Sequence, residues 1–241
     1  VLHTVMQLAR RTGKVAIVSG VCDGFIVNRM ITFYLEQSMV LLEEGASPQQ
    51  IDRALENWGM AMGPFRMSDL AGLDIGYTIR QRQYAQDAGA RRSPLADKVF
   101  EAGRLGQKNG LGWYKYVPGQ RNAQHDPEVD ALIAAHFAAT GRTPRSFSDE
   151  EIVERCIYAL VNEGAYILQE GIAARASDID LVYVHGYGFP RWRGGPMMAA
   201  QTVGLASVVR AIERIRSDGD ACFKAPAPLL VQLAAQNKGF E

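Results

Sequence analysis

Apolar positions recur at helical spacing along most of the chain. Over residues 1–12, Val1, Leu2, Val5, Leu8 and Ala9 fall on one face and Gln7, Arg10 and Arg11 on the other, which predicts an amphipathic helix ending at Gly13. Lys14–Ser19 is the one stretch with a strand's density of β-branched residues. A single strand cannot make a sheet, because its backbone groups need partners. After Gly24, Met30, Tyr34 and Leu41 set a helical repeat that runs to Glu43-Glu44-Gly45. Ser47-Pro48-Gln49-Gln50 combines a Ser N-cap, a Pro at the first helical position and a Gln closing a capping box. The helix it opens carries Ile51, Ala54, Leu55 and Trp58 on one side and stops at Gly59. Gly63-Pro64 predicts a turn, Met67 to about Ala88 one further helix, and Ser93-Pro94 the cap of another ending near Gly103.

The Gly-rich run Gly106–Tyr116 breaks helicity, and its alternating aromatic and basic residues predict a turn with an extended, hairpin-like finish. As a phosphate cradle it is weak, since no strand leads into it and no helix opens from it. Residues 119–146 read as a connector holding a short apolar helix, Val129 to Phe137. Ser148-Asp149-Glu150-Glu151 makes a second capping box ahead of a long helix ending at Glu170-Gly171. Ser177-Asp178-Ile179-Asp180 starts a short helix, Gly186–Pro196 reads as a loop, and two more helices are expected after it.

The second half repeats the first. Asn28-Arg29 falls opposite Glu154-Arg155, and Glu44-Gly45 opposite Glu170-Gly171, both at an offset of 126 residues. Gly63-Pro64 and Gly72 fall opposite Gly195-Pro196 and Gly204 at an offset of 132. A long helix, a Glu-Gly stop, an Ile-Asp helix start and a Gly-Pro turn thus recur in order. The copies differ where chemistry is concerned: Glu154 stands in place of Asn28, and Gln201 in place of Asp69.

Composition narrows the function classes. The 241 residues carry 26 basic and 26 acidic side chains, so no net field steers the chain to nucleic acid or a lipid surface. No apolar run approaches the roughly 20 residues that span a bilayer. Three scattered cysteines (Cys22, Cys156, Cys222) make neither a disulfide framework nor a zinc site, and suit a reducing cytoplasm. None of His3, His125, His136 and His185 forms metal-ligand spacing with another. Two readings stand for Asn28. An amide in the first turns of a helix can hold a polar substrate group beside unpaired backbone N–H groups, or it can satisfy local backbone only.

The blocks GFIVNRM with Tyr34 and Glu36 following, EEGASPQQID, MGPFRMSDLAGLD and GQKNGLGWYKY occur in this order over residues 15–116. They resemble the C-terminal domain of 3-hydroxyacyl-CoA dehydrogenases, and the tandem arrangement resembles the multifunctional β-oxidation enzymes that join this dehydrogenase to an enoyl-CoA hydratase. The resemblance implies an all-α fold of two tandem helical repeats of the 6-phosphogluconate dehydrogenase C-terminal type, preceded by the last helix and strand of a Rossmann domain. It divides the chain into a remnant of the NAD-binding domain (1–20), a first C-terminal domain (21–118), the connector (119–146) and a second, degenerate C-terminal domain (147–241) that packs on the first as a pseudo-dimer.

The same resemblance gives Asn28 a catalytic and substrate-binding role: the family's Asn contacts substrate near the reacting carbon. From the residues themselves, Phe25 is read as a substrate-binding wall, with Ile26 and Met62 as further wall positions for an acyl chain, beside core packing as the commoner fate of such residues. NAD and a His–Glu pair belong to the part of the family upstream of Lys14, and this chain contains no Gly-x-Gly-x-x-Gly turn. The isolated 241 residues are therefore expected to bind no cofactor and to be inactive alone, as a piece of a longer polypeptide. The implied partners are an acyl-CoA substrate held jointly with the missing NAD-binding domain, a thiolase subunit and a second copy of the chain. Arg29 is expected to brace the helix start through Asp69. The loop Phe189–Arg193 is read either as a CoA-phosphate or domain contact or as a structural turn. Two alternatives remain: a helical interaction module of the same descent without catalysis, and a stand-alone short-chain 3-hydroxybutyryl-CoA dehydrogenase, which is expected to end near Tyr116.

Overall fold

The computed structural model describes residues 1–120, 122–220 and 222–240. Among these, twelve α-helices account for nearly all regular structure, and only isolated β-bridges occur. In chain order they are α1 (Leu2–Arg11), α2 (Val27–Glu44), α3 (Pro48–Trp58), α4 (Pro64–Ala71), α5 (Leu73–Gln86) and α6 (Pro94–Glu101). There follow α7 (Pro127–Thr140), α8 (Asp149–Gln169), α9 (Ala176–Gly186), α10 (Pro196–Val203), α11 (Leu205–Ser217) and α12 (Pro228–Ala235). A 3-10 turn at Arg191–Arg193 precedes α10. The all-α expectation holds.

Helices α2 and α8 form the centre and pack along each other. Met30, Tyr34 and Leu41 of α2 and Ile152, Cys156, Leu160 and Ile167 of α8 are fully buried, each series falling on one helical face. The charged ends show how the two helices meet. Arg29 at the start of α2 pairs with Glu170 just beyond α8 at 2.5 Å, and Arg155 in the second turn of α8 pairs with Glu44 at the end of α2 at 2.8 Å. Those two bridges are equivalent under the 126-residue repeat. A second equivalent pair accompanies them: Arg29 Nε donates to Glu163 and Arg155 Nε to Gln37. The packing is antiparallel and reciprocal, as in an isologous dimer interface.

The Gly-Pro turns recur in detail. Asp52 on α3 accepts from the backbone N–H groups of Phe65 and Arg66 at the start of α4. Asp180 on α9 does the same for Met197 and Met198 of α10. In both copies the glycine before the proline lies so close to the aspartate that a Cβ would sit 2.3 Å from it.

Several expectations need correction. Lys14–Ser19 forms no strand: Lys14 N–H closes the end of α1 on Ala9 C=O at 2.8 Å, and just beyond the run Gly20 N–H donates to Ile172 C=O at 2.7 Å. Local β-propensity supplied no partner strand. The helix expected over 67–88 is two helices broken at Gly72, whose φ of 104° no helix accommodates. Three helices follow the Gly186–Pro196 segment rather than two. Both capping serines accept from the N–H three residues on, but Gln50 turns away from its own helix start to Phe147 C=O. Ser93 makes no side-chain cap. The short helix expected within 119–146 is present as α7, which packs on α6, and buried Arg104 donates to Asp126 at the start of α7 and to Gly112 C=O.

Candidate functional site

Asn28 is placed by a tight turn. Gly24 (φ 79°) and Phe25 (φ 51°) take left-handed conformations, and a Cβ at Gly24 would lie 2.7 Å from Arg29 N. The turn delivers Ile26 into the core, 2% exposed, and starts α2 at Val27. Gly24 C=O accepts from the N–H groups of both Asn28 and Arg29, and Ile26 C=O from Met30. The helix start therefore has no free N–H groups for a ligand at these positions, and the site rests on the Asn28 side chain.

That side chain is exposed at the lip of an apolar groove of about 350 Å³ between α2 and the α4–α5 pair. Leu35 and Met39 of α2 form one wall, Phe65 and Met67 of α4 the base, and Ile75 and Ile79 of α5 the other wall. The groove continues along α2 and α5 into a second hollow of about 420 Å³ that reaches Arg80 and Gln83. A concave apolar surface with an amide at its rim suits a flexible aliphatic group bearing a polar end. The larger hollow near the other end of α2, about 1000 Å³, is of a different kind. It is lined mainly by charged side chains, several of them paired: Arg145 with Glu44 and Glu151, Arg155 with Glu44 and Asp220, and Arg214 with Glu154.

Among the described residues the carboxamide of Asn28 has one hydrogen-bond partner. Tyr187, from the end of α9 in the second half, donates its hydroxyl to Asn28 Oδ1 at 2.9 Å. Nothing in the spacing of the chain pointed to this residue. Arg29 does not meet Asp69. Hydrogen bonding to Glu170 and Glu163 raises the Arg29 guanidinium, so it stays charged and ties α2 to α8. Asp69 instead accepts from Trp113 N–H, Tyr114 N–H and the Tyr116 hydroxyl, at 2.8, 3.1 and 2.9 Å. Burial pushes it up to about 6. It thereby pins the Gly-rich run, where a Cβ on Gly112 would lie 2.0 Å from Asp69 Oδ1.

Phe25 is 54% exposed and stands outside the groove lining, while Ile26 belongs to the core and Met62 also lies off the groove. The Phe189–Arg193 segment clamps the second half onto the end of α3. Phe189 packs edge-on against Trp58, and Arg193 lies 4.0 Å from the rings of both Trp58 and Trp192 and donates to Trp58 C=O. No histidine lines the groove: His3 and His185 are exposed, His125 pairs with Asp130, and His136 is buried on α7. Among the described residues no group of three or more His, Cys, Asp or Glu side chains could hold a metal.

The family model for the 3-hydroxyacyl-CoA dehydrogenase C-terminal domain matches residues 24–116 and 152–239. The chain belongs to this family. It is 47% identical over 249 aligned residues to the peroxisomal bifunctional enzyme of Danio rerio, covering 98% of this chain and 35% of that protein. It is 36% identical to a fatty acid oxidation complex subunit alpha of Shewanella amazonensis, covering 99% and 33%. The crystal structure of the dehydrogenase part of multifunctional enzyme 1 from C. elegans superimposes with a TM-score of 0.73 at 26% identity, over 96% of this chain and 52% of that one. The chain thus spans about a third of the length of the curated relatives it matches. Both halves of the repeat fall within the matched family; Asn28 and the helices that wall its groove lie in the first match and Tyr187 in the second.

Proposed function

We propose that the chain is the substrate-facing, helical region of an NAD-dependent 3-hydroxyacyl-CoA dehydrogenase of fatty-acid β-oxidation, in a polypeptide that also carries an enoyl-CoA hydratase. The observation that carries this reading is an amide, fixed by one protein hydrogen bond, at the rim of an apolar groove. Oxidising a 3-hydroxyacyl thioester needs a base, a hydride acceptor and donors that fix the substrate oxygens. This chain supplies the last of these. With Oδ1 occupied by Tyr187, the Asn28 NH₂ group is left to donate to a substrate oxygen, and the groove holds the acyl chain and excludes water along it.

The residues present do not fit the cofactor itself. No Gly-x-Gly-x-x-Gly turn occurs, and residues 14–20 form no sheet on which a dinucleotide could lie. We assign NAD and the proton-accepting residue to an upstream domain. The exposed apolar stripe of Val1 and, on α1, Leu2, Val5 and Leu8, uncovered by the described residues, supports that assignment. Residues 1–20 then belong to the cofactor domain, 21–118 and 147–241 are the two family domains, and 119–146 joins them.

The test is reduction of acetoacetyl-CoA by NADH. The whole polypeptide is expected to turn over and the 241 residues alone to show no activity; turnover by the isolated chain refutes the assignment. Asn28→Ala in the whole polypeptide should lower kcat at unchanged KM for NADH, and Phe25→Ala should raise KM for the acyl-CoA if Phe25 serves as a wall. Sizing of the purified protein, with and without a thiolase subunit, tests the expected second copy and the thiolase contact. No helix of the described residues is long and apolar enough to cross a membrane. The free thiols suit a reducing compartment, and fractionation decides between the cytoplasm and the peroxisome named for the fish relative.

A further inference from the structure

We infer that Tyr187 is a positioning residue for the dehydrogenase reaction, so that the degenerate second half completes the site carried by the first. The inference rests on the reading of Asn28 given above. Two tyrosines four residues apart, Tyr183 on α9 and Tyr187 capping its end, grip two consecutive residues of α2. Tyr183, fully buried, donates to Val27 C=O at 3.0 Å, and Tyr187 donates to Asn28 Oδ1 at 2.9 Å. Their rings lie 5.5 Å apart, so each supports the other. The chain just beyond is held as firmly. Gly188 C=O accepts from Ala61 N–H at 2.9 Å, and a Cβ on Gly188 would lie 2.6 Å from Ala61 Cβ. Tyr187 is therefore fixed on both sides against the first half, with its hydroxyl committed to the carboxamide at the rim of the groove.

The chemical consequence concerns polarity. A carboxamide can present either its oxygen or its NH₂ group to a ligand. Held by its oxygen, Asn28 presents the NH₂, which favours a substrate oxygen that gains negative charge and repels a donor. Without the Tyr187 hydroxyl the amide is free to turn, and a fraction of molecules presents the wrong end. The second half has lost the amide at its own equivalent position, Glu154, whose carboxylate pairs with Arg214. Its α9 serves the neighbouring site instead.

The experiment compares Tyr187→Phe, Asn28→Ala and the double variant in the whole polypeptide, with acetoacetyl-CoA and NADH as substrates. Tyr187→Phe removes one hydrogen bond and little volume. It is expected to lower kcat about three- to tenfold, with KM for NADH and the thermal midpoint unchanged. The double variant should be no slower than Asn28→Ala, because a positioning hydroxyl has no effect once its amide is gone. If Tyr187→Phe leaves kcat unaltered, or slows the Asn28→Ala enzyme by the same factor as the wild type, the inference is overturned while the role of Asn28 stands. If Asn28→Ala itself is fully active, both are overturned.

Discussion

Replacing Arg155 by Met tests whether the reciprocal ion pairs between α2 and α8 are energetically equivalent as well as geometrically. Arg155 is 3% exposed and donates to Glu44 at 2.8 Å and to Asp220 at 2.6 Å. Asp220 is itself 4% exposed. Its other partners, Cys222 N–H and Phe223 N–H, are neutral. Removing the guanidinium leaves a buried carboxylate without a counter-charge, a loss of about 3–5 kcal/mol. For a domain of this size that lowers the thermal midpoint by roughly 6–20 °C. The equivalent change at Arg29 is milder. Its buried partner Glu163 keeps Lys224 at 2.8 Å, and its other partner Glu170 is 43% exposed, so about 1–2 kcal/mol is expected. Burial pushes Glu44 up, but hydrogen bonds and charge from Arg155 and Arg145 outweigh it and hold Glu44 below the usual carboxylate range. That contribution is present above about pH 4.5, the unfolded value, and is lost as pH falls through the depressed folded value. The gap between wild type and Arg155→Met should therefore narrow on acidification. Urea unfolding of both variants at pH 7 and below pH 4.5 reads all of this. Equal losses at Arg29 and Arg155, or a larger loss at Arg29, would refute the account.

Further predictions concern the Gly-Pro turn and its aspartate. Gly63 has an ordinary φ of −70°, yet a Cβ there would lie 2.4 Å from Asp52 Cα. Gly63→Ala should destabilise by at least about 2 kcal/mol through overpacking alone, measurable by thermal unfolding. Gly13→Ala should cost only about 1 kcal/mol, since that site is open and only its φ of 70° is unfavourable. Burial pushes Asp52 up to about 7 despite hydrogen bonds from Phe65 N–H, Tyr114 OH and Arg66 N–H. A raised folded value contributes stability that is full below pH 3.8 and lost as pH rises through about 7. Asp52→Asn should flatten the fall in stability between those limits, by up to about 4 kcal/mol; an unaltered pH profile would contradict this.

Much of the helical layout is legible in local chemistry. The Ser47 and Ser148 caps, the Pro at the start of α3 and the apolar repeat of α2 each act within a few residues, and all appear as read. The 126-residue repeat carries further, because equivalent residues at the ends of two antiparallel helices meet reciprocally. Asn28 was identified as a site candidate by family resemblance; the groove beside it was not legible, since its walls come from three helices whose apolar residues look like any core.

What the amino-acid order determined by itself is therefore everything set by the nearest turn of chain: helix type, caps, Gly-Pro stops and the doubled plan. Only the tertiary structure decided the partners. Arg29 meets Glu163 and Glu170 rather than Asp69, Lys14–Ser19 finds no neighbouring strand, and Tyr187 reaches Asn28 across 159 residues. The physical reason is that propensity and capping are short-range free energies, whereas a hydrogen bond between side chains far apart in sequence depends on how whole helices dock. That docking is set by the summed burial of the α2–α8 seam, which no single stretch of the chain encodes.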